Sequence, residues 1–563
     1  MVLTVSLRRS TGYSHWGTWI HLQSLFIITT TFFCFCLSDA ASFASGIVGD
    51  ASSRFRNHPR RTFGLANIVK PSGRNKPNEQ CWAETSRLSS ENPSVDRAES
   101  DAAFYVHIPY CRRRCRYCDF AIVPIGPVET SGREEMNSSF AERQNTGFRL
   151  MDISYRDTVL AEIEMILRTT KRPRTLRSIY FGGGTPSLAP VSSIKSILEA
   201  ILDGPNSPFV LADDAEITIE MDPGTFDLTK LRSLKEIGFN RISLGVQSFD
   251  DSILEAIGRV HRCSDVLECI NMIKTVFGDE ANYSIDLISG LPGLNLAKWV
   301  ETLQTALSFS PNHLSLYDLQ VEQGTVFHRW YREDDDPGPA LKPAVSYPAD
   351  YMPLPSVGDC AFMYKYASGY LKSRGYEHYE ISSYAYTGSN KGAASSPRRN
   401  GRSRHNQIYW EIGSDWYAAG LGATSSLNRH SFQRPRQMAD YLSWVKGQDG
   451  KDIPSWLLDE PSIAFDVDCR SDDIDFLSDT IMTRLRTADG LSLDWIANTF
   501  QEGETKVSAV LRGAELALSL DMAHTVEENN AERYLRLSDP VGFLFSNSII
   551  SSIFVELEGV CGH

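Results

Sequence analysis

Three cysteines fall within eight residues of this chain. Cys111, Cys115 and Cys118 follow the spacing Cx3Cx2C, in a sequence that has eleven cysteines in all. Thiolates are the soft ligands that iron–sulfur clusters require, and three of them can hold three corners of a [4Fe-4S] cluster. The fourth iron then has no protein ligand and can accept the amino and carboxylate groups of S-adenosylmethionine (SAM). The spacing predicts such a cluster; a structural zinc site is the alternative, although no second Cys/His pair lies nearby.

Six short runs rich in β-branched and aromatic residues predict strands. They are Phe104–Ile108, Ser178–Phe181, Glu216–Met221, Arg241–Leu244, Tyr283–Ile288 and His313–Tyr317. Between them lie stretches with helical periodicity, among them Tyr155–Leu167, Ile194–Leu202, Thr229–Ile237 and Val266–Val276. The βα alternation predicts an α/β fold with a parallel sheet covered on both faces.

The chemically distinctive residues come where these strands end. The cysteines follow the first strand, Gly182–Pro186 the second, and Glu220–Pro223 closes the third. Gln247 follows the fourth strand and Asp286 ends the fifth. Function in α/β barrels collects at the carboxyl ends of the strands, so these groups are expected to converge on one mouth.

Five motifs resemble the HemN/HemW family of radical SAM proteins. They are AFYVHIPYCRRRCRYCDF at 103–120, GGGTP at 182–186, IEMDPG at 219–224, RISLGVQSFD at 241–250 and IDLISGLPG at 285–293. The resemblance covers residues 100–550. It implies a radical SAM partial (β/α)6 TIM-like barrel, followed by a helix-rich, winged-helix-like HemN C-terminal domain.

The resemblance also implies a set of SAM contacts. By position in the motifs they are Tyr105, Tyr117, Gly183, Gly184, Thr185, Glu220, Gln247, Arg259 and Asp286. Glycines let the backbone approach SAM and offer N–H groups to its amino-acid end. Glu220 and Asp286 can accept hydrogen bonds from ribose hydroxyl or ammonium groups, and Arg259 can pair with a carboxylate.

One position separates the activities within the family. The oxygen-independent coproporphyrinogen III dehydrogenases carry a further cysteine two residues after the third ligand, whereas this chain has Phe120 there. The sequence Cys118-Asp119-Phe120 resembles the HemW branch, whose members are regarded as haem chaperones. The resemblance thus favours a haem chaperone, with the dehydrogenase as the alternative and a radical SAM methyltransferase as a third reading.

A second motif resembles the HemW branch. Residues 405–410 read HNQIYW and match the HNxxYW motif associated with haem binding. Histidine is a competent axial ligand of haem iron, and aromatic rings can pack on a porphyrin face. The haem contacts implied are His405, Tyr409 and Trp410. A histidine that relatives carry in a later turn is replaced here by Thr424, which removes that second ligand.

The charge of the chain excludes one class of partner. The formal net charge is −14, and the basic residues of the first 80 positions make the remainder more acidic still. Nucleic-acid backbones require basic surface, so no nucleic-acid partner is expected. The resemblance implies haem as cargo, haem-acceptor proteins as partners, and an electron donor such as ferredoxin or flavodoxin.

The N-terminal segment has the pattern of a targeting presequence. Arg8 and Arg9 precede an apolar run, Leu25–Leu37, and residues 45–80 are rich in Ser, Arg and Asn. The junction Ala41–Ala44 resembles the cleavage motif of bipartite plastid presequences. A plastid destination by signal plus transit peptide is predicted, with the mitochondrion or a retained membrane anchor, and hence membrane association, as alternatives.

These patterns divide the chain into four regions. They are a presequence and disordered linker at 1–95, the radical SAM barrel at 96–331, a linker with insertions and the HNxxYW segment at 332–470, and the C-terminal domain at 471–560. Polar or Pro/Gly-rich insertions are predicted at 124–150, 332–356 and 387–403. The C-terminal region predicts helices at Asp475–Arg486, Leu491–Phe500 and Asn547–Leu557, with one short strand at Leu535–Leu537.

Overall fold

An eleven-stranded sheet positions the candidate site. The computed structural model describes residues 101–126, 139–170, 172–204, 207–278, 281–331, 351–388, 401–427, 429–447, 474–528 and 531–561, with only the backbone at 139–144 and 561. All of them belong to one compact unit, Ala98–His563. The predicted presequence, and residues 127–138, 332–350 and 389–400 of the predicted insertions, lie outside the described residues.

The strands are numbered along the chain. They are β1 (Asp101–Ile108), β2 (Tyr110–Cys111), β3 (Val123–Pro124), β4 (Arg174–Gly183), β5 (Phe209–Met221), β6 (Arg241–Gln247), β7 (Tyr283–Ser289), β8 (His313–Asp318), β9 (Tyr376–Glu380), β10 (Ser383–Tyr386), β11 (Asp415–Ala419), β12 (Thr424–Leu427), β13 (His430–Gln433), β14 (Leu491–Ser492), β15 (Ala523–Glu528) and β16 (Glu532–Leu537). In the large sheet the order is β13-β12-β11-β1-β4-β5-β6-β7-β8-β10-β9. All six predicted runs are confirmed as strands, β1 and β4–β8, and they pair in parallel.

The helices are numbered in the same way. They are α1 (Ser139–Thr169), α2 (Val191–Leu202), α3 (Leu228–Glu236), α4 (Asp251–Ala256), α5 (Cys263–Phe277), α6 (Leu296–Ser308), α7 (Val326–Trp330), α8 (Val357–Ser373), α9 (Arg404–Trp410), α10 (Met438–Gly447), α11 (Ile474–Arg484), α12 (Leu493–Thr499), α13 (Gly503–Gly513), α14 (Glu515–Ser519), α15 (Val541–Leu544) and α16 (Ser546–Cys561). Several begin at a side-chain cap soon after a strand ends. Asp227, Asp250 and Asn295 accept backbone N–H groups in the first turns of α3, α4 and α6. The helices predicted from periodicity between the first six strands are confirmed, and α1 also takes in residues 139–150, which the sequence suggested were insertion.

Alternation along the inner strands separates an apolar layer from a polar interior. Phe104 of β1 and Ile179 of β4 are fully buried in the main core with the surrounding helices, where each side chain contributes about 1.5–3 kcal/mol. Tyr105 and Tyr180, at the next positions, stack with each other and with His405 on the opposite face. One face therefore stabilises the fold, and the other supplies polar groups to the barrel interior.

Five further strands extend the sheet beyond the predicted six. β11 pairs in parallel with β1, whereas the β12–β13 and β9–β10 hairpins add antiparallel strands at the two ends. The sequence suggested a linker with insertions here, because TSSL and HSFQ are short and polar. Pairing with strands distant in sequence, rather than local periodicity, determines these elements.

The C-terminal region has its own apolar core. Leu477, Ile496, Val510, Leu535 and Ile553 are buried together between the helices and a small antiparallel sheet. The three predicted helices are confirmed, but the sheet has three strands in the order β14-β16-β15, where the sequence predicted one. None of the helices in the described ranges combines the length and the apolar character needed to cross a bilayer.

Candidate cofactor site

The cysteines lie on a loop that follows β1 and is held in place by backbone hydrogen bonds. Within it the Cys118 N–H donates to the Cys115 carbonyl at 3.2 Å. The Arg116 N–H donates to the Ile257 carbonyl at 3.0 Å, just beyond α4. The Phe327 N–H, in α7, donates to the Arg116 carbonyl at 3.0 Å. The loop is thus fixed to the carboxyl side of the barrel at two separate points.

The three thiols are unpaired. None forms a disulfide, and all three are partly buried. Burial raises the pKa of Cys111 to about 12; the Thr185 hydroxyl, 3.5 Å from its sulfur, opposes this, while the neighbouring Asp222, Cys118 and Cys115 add to it. Burial also raises the pKa of Cys118. Burial therefore favours the protonated form of metal-free Cys111 and Cys118, and thiols release their protons when they bind iron.

How far apart the three thiols lie determines which kind of metal centre they can hold. In the part of the chain that the structure describes, no three His, Cys, Asp or Glu side chains converge closely enough to hold one metal ion. A [4Fe-4S] cluster makes a different demand, because each thiolate binds its own iron at a separate corner.

Arg259 lies beside the second cysteine. Its guanidinium is 3.8 Å from the Cys115 sulfur, forms an ion pair with Asp222 and donates to the Gly245 carbonyl at 2.7 Å. Its Nε is buried and has no hydrogen-bond partner within the described ranges. An unsatisfied buried N–H of a cation is costly, and an anionic group of a ligand would satisfy it.

The glycine turn after β4 fits tightly against the cluster loop. A Cβ at Gly184 would lie 2.7 Å from backbone atoms of Pro109 and Tyr110, and one at Gly183 would lie 2.5 Å from the His107 ring. The Gly183 N–H donates to Glu220 and the Gly184 N–H to the Ile108 carbonyl, both at 2.9 Å. The sequence suggested that these N–H groups are offered to SAM, but protein acceptors hold them here, and close packing is what requires glycine.

Two carboxylates line the interior below the turn. Glu220 accepts the Tyr180 hydroxyl and the Gly183 N–H, each at 2.9 Å, and burial raises its pKa to about 7. Asp286 accepts the hydroxyls of Ser243 at 2.7 Å and Ser284 at 2.9 Å, and burial raises its pKa too. Both residues are half-buried.

The remaining predicted contacts lie around the same mouth. Tyr117 packs against Phe327, with ring centroids 6.5 Å apart, and Gln247 ends β6 with a positive φ of 66°. Tyr105 lies deeper, where its hydroxyl is 3.1 Å from His107 Nδ1. The structure therefore gathers the nine predicted SAM contacts on the inner face and carboxyl rim of one barrel.

His405 lies inside the barrel at the first turn of α9. It is 2% exposed, and its ring stacks on Tyr180 with centroids 4.8 Å apart. Nδ1 is 2.8 Å from the Ser178 hydroxyl and Nε2 is 2.8 Å from the Tyr409 hydroxyl. Burial, followed by the charge of Arg241, lowers its pKa to about 3, so the ring is neutral at physiological pH. Both nitrogens of this predicted haem contact are occupied by protein partners.

The other two residues of the motif lie at the end of the same helix. Tyr409 is edge-on to Trp416 of β11, with ring centroids 5.0 Å apart. Trp410 is partly exposed, and its carbonyl accepts Arg484 of α11 at 3.1 Å. The motif therefore joins the barrel interior to the C-terminal region.

Several residues that build the site were not among the predicted SAM or haem contacts. They are Asp222 beside Arg259, Tyr180 beside Glu220, Ser243 and Ser284 beside Asp286, and the buried pair Glu216–Arg241, 3.7 Å apart near His405. Their signal is the recurrence of polar residues at alternate strand positions, as in Ser178 and Tyr180.

Comparison with known proteins shows the family. A family model described as the radical SAM superfamily matches residues 105–306. The heme chaperone HemW of Synechocystis sp. is 32% identical over 464 residues, which span 81% of this chain and 97% of that protein. The chain belongs to the HemW family of radical SAM proteins. A relative in Mus musculus, the mitochondrial radical S-adenosyl methionine domain-containing protein 1, is 30% identical over 65% of this chain and 73% of its own length.

The fold of the HemW family is shared with a solved structure. Coproporphyrinogen III oxidase (HemN) from Escherichia coli, a radical SAM enzyme, superposes with a TM-score of 0.57 over 82% of this chain and 92% of its own, at 18% identity. The match confirms the radical SAM α/β fold expected from the motifs.

Membership of this family implies a [4Fe-4S] cluster and SAM. The donor set fits them, because three thiols, a buried arginine with an unsatisfied N–H and two half-buried carboxylates lie around one mouth. When bound, the reduced cluster supplies one electron to the sulfonium bond of SAM. The chain's own residues hold the thiols in place and present Arg259, Glu220 and Asp286 as partners for charged and hydroxyl groups.

Proposed function

We propose that this protein binds haem and transfers it to acceptor proteins. The observation that carries the proposal is the 32% identity to the Synechocystis heme chaperone HemW over 97% of that protein. Phe120, which stands where the dehydrogenases carry a cysteine, supports the chaperone over coproporphyrinogen oxidation. The likeness to HemN concerns the fold, so it does not favour that reaction.

The HNxxYW segment is the proposed haem contact, with His405 as the iron ligand and Tyr409 and Trp410 against the porphyrin. Iron needs a free imidazole nitrogen, and Nε2 of His405 is engaged with Tyr409. Haem binding at this position therefore includes breaking that hydrogen bond and moving α9. Such a step suits a transfer protein, because the same hydrogen bond competes with haem when the cargo leaves.

The proposal extends to compartment and cofactors. The mouse and bovine relatives are named as mitochondrial proteins, which supports an organellar destination. We place this chain in the plastid, on the composition of its first 80 residues. The cluster and SAM, reduced by a ferredoxin- or flavodoxin-like donor, would regulate or power transfer to the acceptor.

The test is anaerobic reconstitution, followed by haem titration and by incubation with coproporphyrinogen III and SAM. We expect stoichiometric haem binding that survives Cys111→Ala and is lost in His405→Ala. Tyr409→Phe retains the ring but frees Nε2, so it should bind haem more tightly than the unaltered protein. His430→Ala, which removes an exposed histidine, is the matched control.

Two results would count against the proposal. Conversion of coproporphyrinogen III to protoporphyrinogen, with consumption of SAM, would identify the protein as the dehydrogenase. A haem spectrum unchanged in both His405→Ala and Tyr409→Phe would remove the HNxxYW segment as the haem contact.

A further inference from the structure

A basic recess lies against the outside of the cluster loop. It has a volume of about 240 Å³ and is lined by Arg113, Arg114, Arg116, Glu255, Gly258 and Arg262. We call it the arginine recess. Four guanidinium groups face one carboxylate, in a chain whose formal net charge is −14. Such a concentration of positive charge on an acidic protein produces a local potential that attracts acidic partners.

Two of the recess arginines, Arg113 and Arg114, donate to neutral acceptors. Arg113 donates to the Arg259 carbonyl at 2.5 Å, and Arg114 donates to the carbonyls of Cys118 and Phe120 at 3.2 and 3.0 Å. These acceptors are neutral, and within the described ranges no ion pair involves either arginine. Glu255 is the recess's one carboxylate; it lies 3.6 Å from Arg262, and its side chain is 65% exposed.

Two exposed apolar side chains belong to residues at or next to the backbone acceptors of the recess arginines. Phe120, whose carbonyl accepts Arg114, is 66% exposed, and Val260, next to the residue that accepts Arg113, is 48% exposed. Aromatic residues and arginine are enriched at the centres of protein–protein interfaces. A small anion would use the guanidinium groups but gain nothing from these side chains, so a protein surface is the better fit.

The wall of the recess is the cluster loop itself. Arg113, Arg114 and Arg116 flank Cys115 in sequence. Gly258, whose φ of 82° favours glycine, packs closely on this loop: a Cβ there would lie 3.3 Å from the Arg116 side chain and 3.7 Å from the Cys115 Cα. A partner seated on the recess is therefore separated from the cluster ligand by little more than the backbone of one loop.

We propose that the arginine recess, with Phe120 and Val260, is the docking surface for an acidic one-electron carrier protein. One electron leaves the reduced carrier, which is oxidised, and enters the cluster, which is reduced; no bond forms or breaks and no proton moves. The proposal rests on the cluster assignment of the three cysteines and is independent of haem binding.

The experiment uses the reconstituted full chain and a reduced, acidic plant-type ferredoxin as the probe. Arg113→Gln/Arg114→Gln/Arg262→Gln removes three charges, and Arg113→Lys/Arg114→Lys/Arg262→Lys retains them. Arg232→Gln/Arg374→Gln removes exposed arginines elsewhere and is the control. The readouts are the ferredoxin dissociation constant at low and high salt, and the rate of cluster reduction in stopped flow, with reduced methyl viologen as a small cationic reductant.

We expect the glutamine triple variant to bind ferredoxin at least about tenfold more weakly at low salt, with a flatter salt dependence. Its reduction by ferredoxin should slow in proportion, while reduction by methyl viologen, iron content and haem binding stay unchanged. The lysine triple variant should retain most of the affinity.

Three results would overturn the proposal. One is a glutamine triple variant whose affinity for ferredoxin and rate of cluster reduction equal those of the unaltered protein. Another is an equal loss of ferredoxin affinity in the lysine and glutamine triple variants, which would assign the arginines a structural role in the loop. The third is an equal slowing with methyl viologen, which would place the effect at the cluster. Because haem binding is measured on the same proteins, failure here is distinct from failure of the chaperone proposal.

Discussion

At the scale of single residues, Glu220 shows how the barrel interior controls protonation. Its carboxylate accepts one hydroxyl and one backbone N–H, and both interactions favour the ionised form. Burial outweighs them and raises the pKa to about 7, while the nearby Asp286 and Asp222 add to the rise. The residue therefore changes charge within the physiological range, unlike an exposed glutamate.

The pH dependence of SAM binding should follow this group. Above a pH of about 7 the carboxylate is ionised and can accept a hydrogen bond from an ammonium or hydroxyl group of SAM, so affinity should rise between about pH 6 and about pH 8. In Glu220→Gln that rise should disappear, whereas Glu301→Gln, an exposed substitution, should keep it. Equilibrium binding of SAM across this range is the measurement, and a rise that persists in Glu220→Gln would contradict the assignment.

The sequence predicted the residues that would bind the cluster better than the residues that hold the predicted SAM contacts in place. Cys111, Cys115 and Cys118 stand out because their type and spacing carry the chemistry. Asp222 and Tyr180 do not, because their roles arise from packing: one meets Arg259 across the barrel mouth, and the other reaches Glu220 from the neighbouring strand.

At the scale of elements, the turn between β4 and the following helix couples fold and site. Gly183 and Gly184 let the turn pass against Pro109, Tyr110 and His107, so the turn contacts both the segment that leads to Cys111 and, through the Gly183 N–H, Glu220 of the neighbouring strand. A side chain at either position has no space to enter, since Pro109 and Tyr110 present backbone atoms and His107 presents a buried ring.

Gly184→Ala should therefore damage the cluster loop. The added Cβ meets backbone atoms at 2.7 Å, so the loop must shift, at a cost of about 1–3 kcal/mol. We expect a lower free energy of unfolding and less than half the iron per chain after reconstitution. Gly369→Ala, in α8, has nothing within 4 Å and should stabilise by about 0.5–1 kcal/mol. Full iron loading of Gly184→Ala would show that the close contact is not needed.

Elements with strong local signals were predictable, and those fixed by distant partners were not. β1 and β4–β8 are apolar runs between amphipathic helices, and the periodicity of each is local. β11 lies beside β1 because of pairing between residues far apart in the chain, including the buried ion pair Arg174–Asp415 at 2.9 Å. No local pattern encodes such a pairing.

At the scale of the whole molecule, one carboxylate ties the C-terminal region to the sheet. Asp539 accepts the Ser368 hydroxyl at 2.7 Å, Lys372 at 2.8 Å and the His378 ring at 2.7 Å. Burial alone would raise its pKa, but these three partners outweigh it and hold the pKa at about 2. The contact spans α8, β9 and the turn before α15.

Asp539→Asn should weaken this attachment by about 1–3 kcal/mol, because the amide has no negative charge and only one acceptor oxygen, so it cannot replace the carboxylate for both a half-buried cation and a buried histidine. A carboxyl with a depressed pKa adds stability above its ordinary value of 3.8 and loses it as pH falls towards about 2. The variant should therefore unfold earlier in urea at pH 7 and differ less from the unaltered protein in strong acid. Glu556→Gln removes an exposed partner of Arg512 and should change stability by under about 0.5 kcal/mol. An equal loss of unfolding free energy in Asp539→Asn and Glu556→Gln would contradict the role of Asp539.

The parallel pairing of β1 with β11 has a consequence for the order of assembly. A ribosome delivers β1 and the cysteine loop early, and β4 follows soon enough to pair with one side of the strand. The other edge of β1 stays unpaired until Asp415–Ala419 leave the ribosome, because Ala102 lies opposite Asp415 in the finished sheet. An unpaired strand edge invites wrong partners, so throughout that interval the nascent chain exposes an edge of the strand that leads into its cysteine loop.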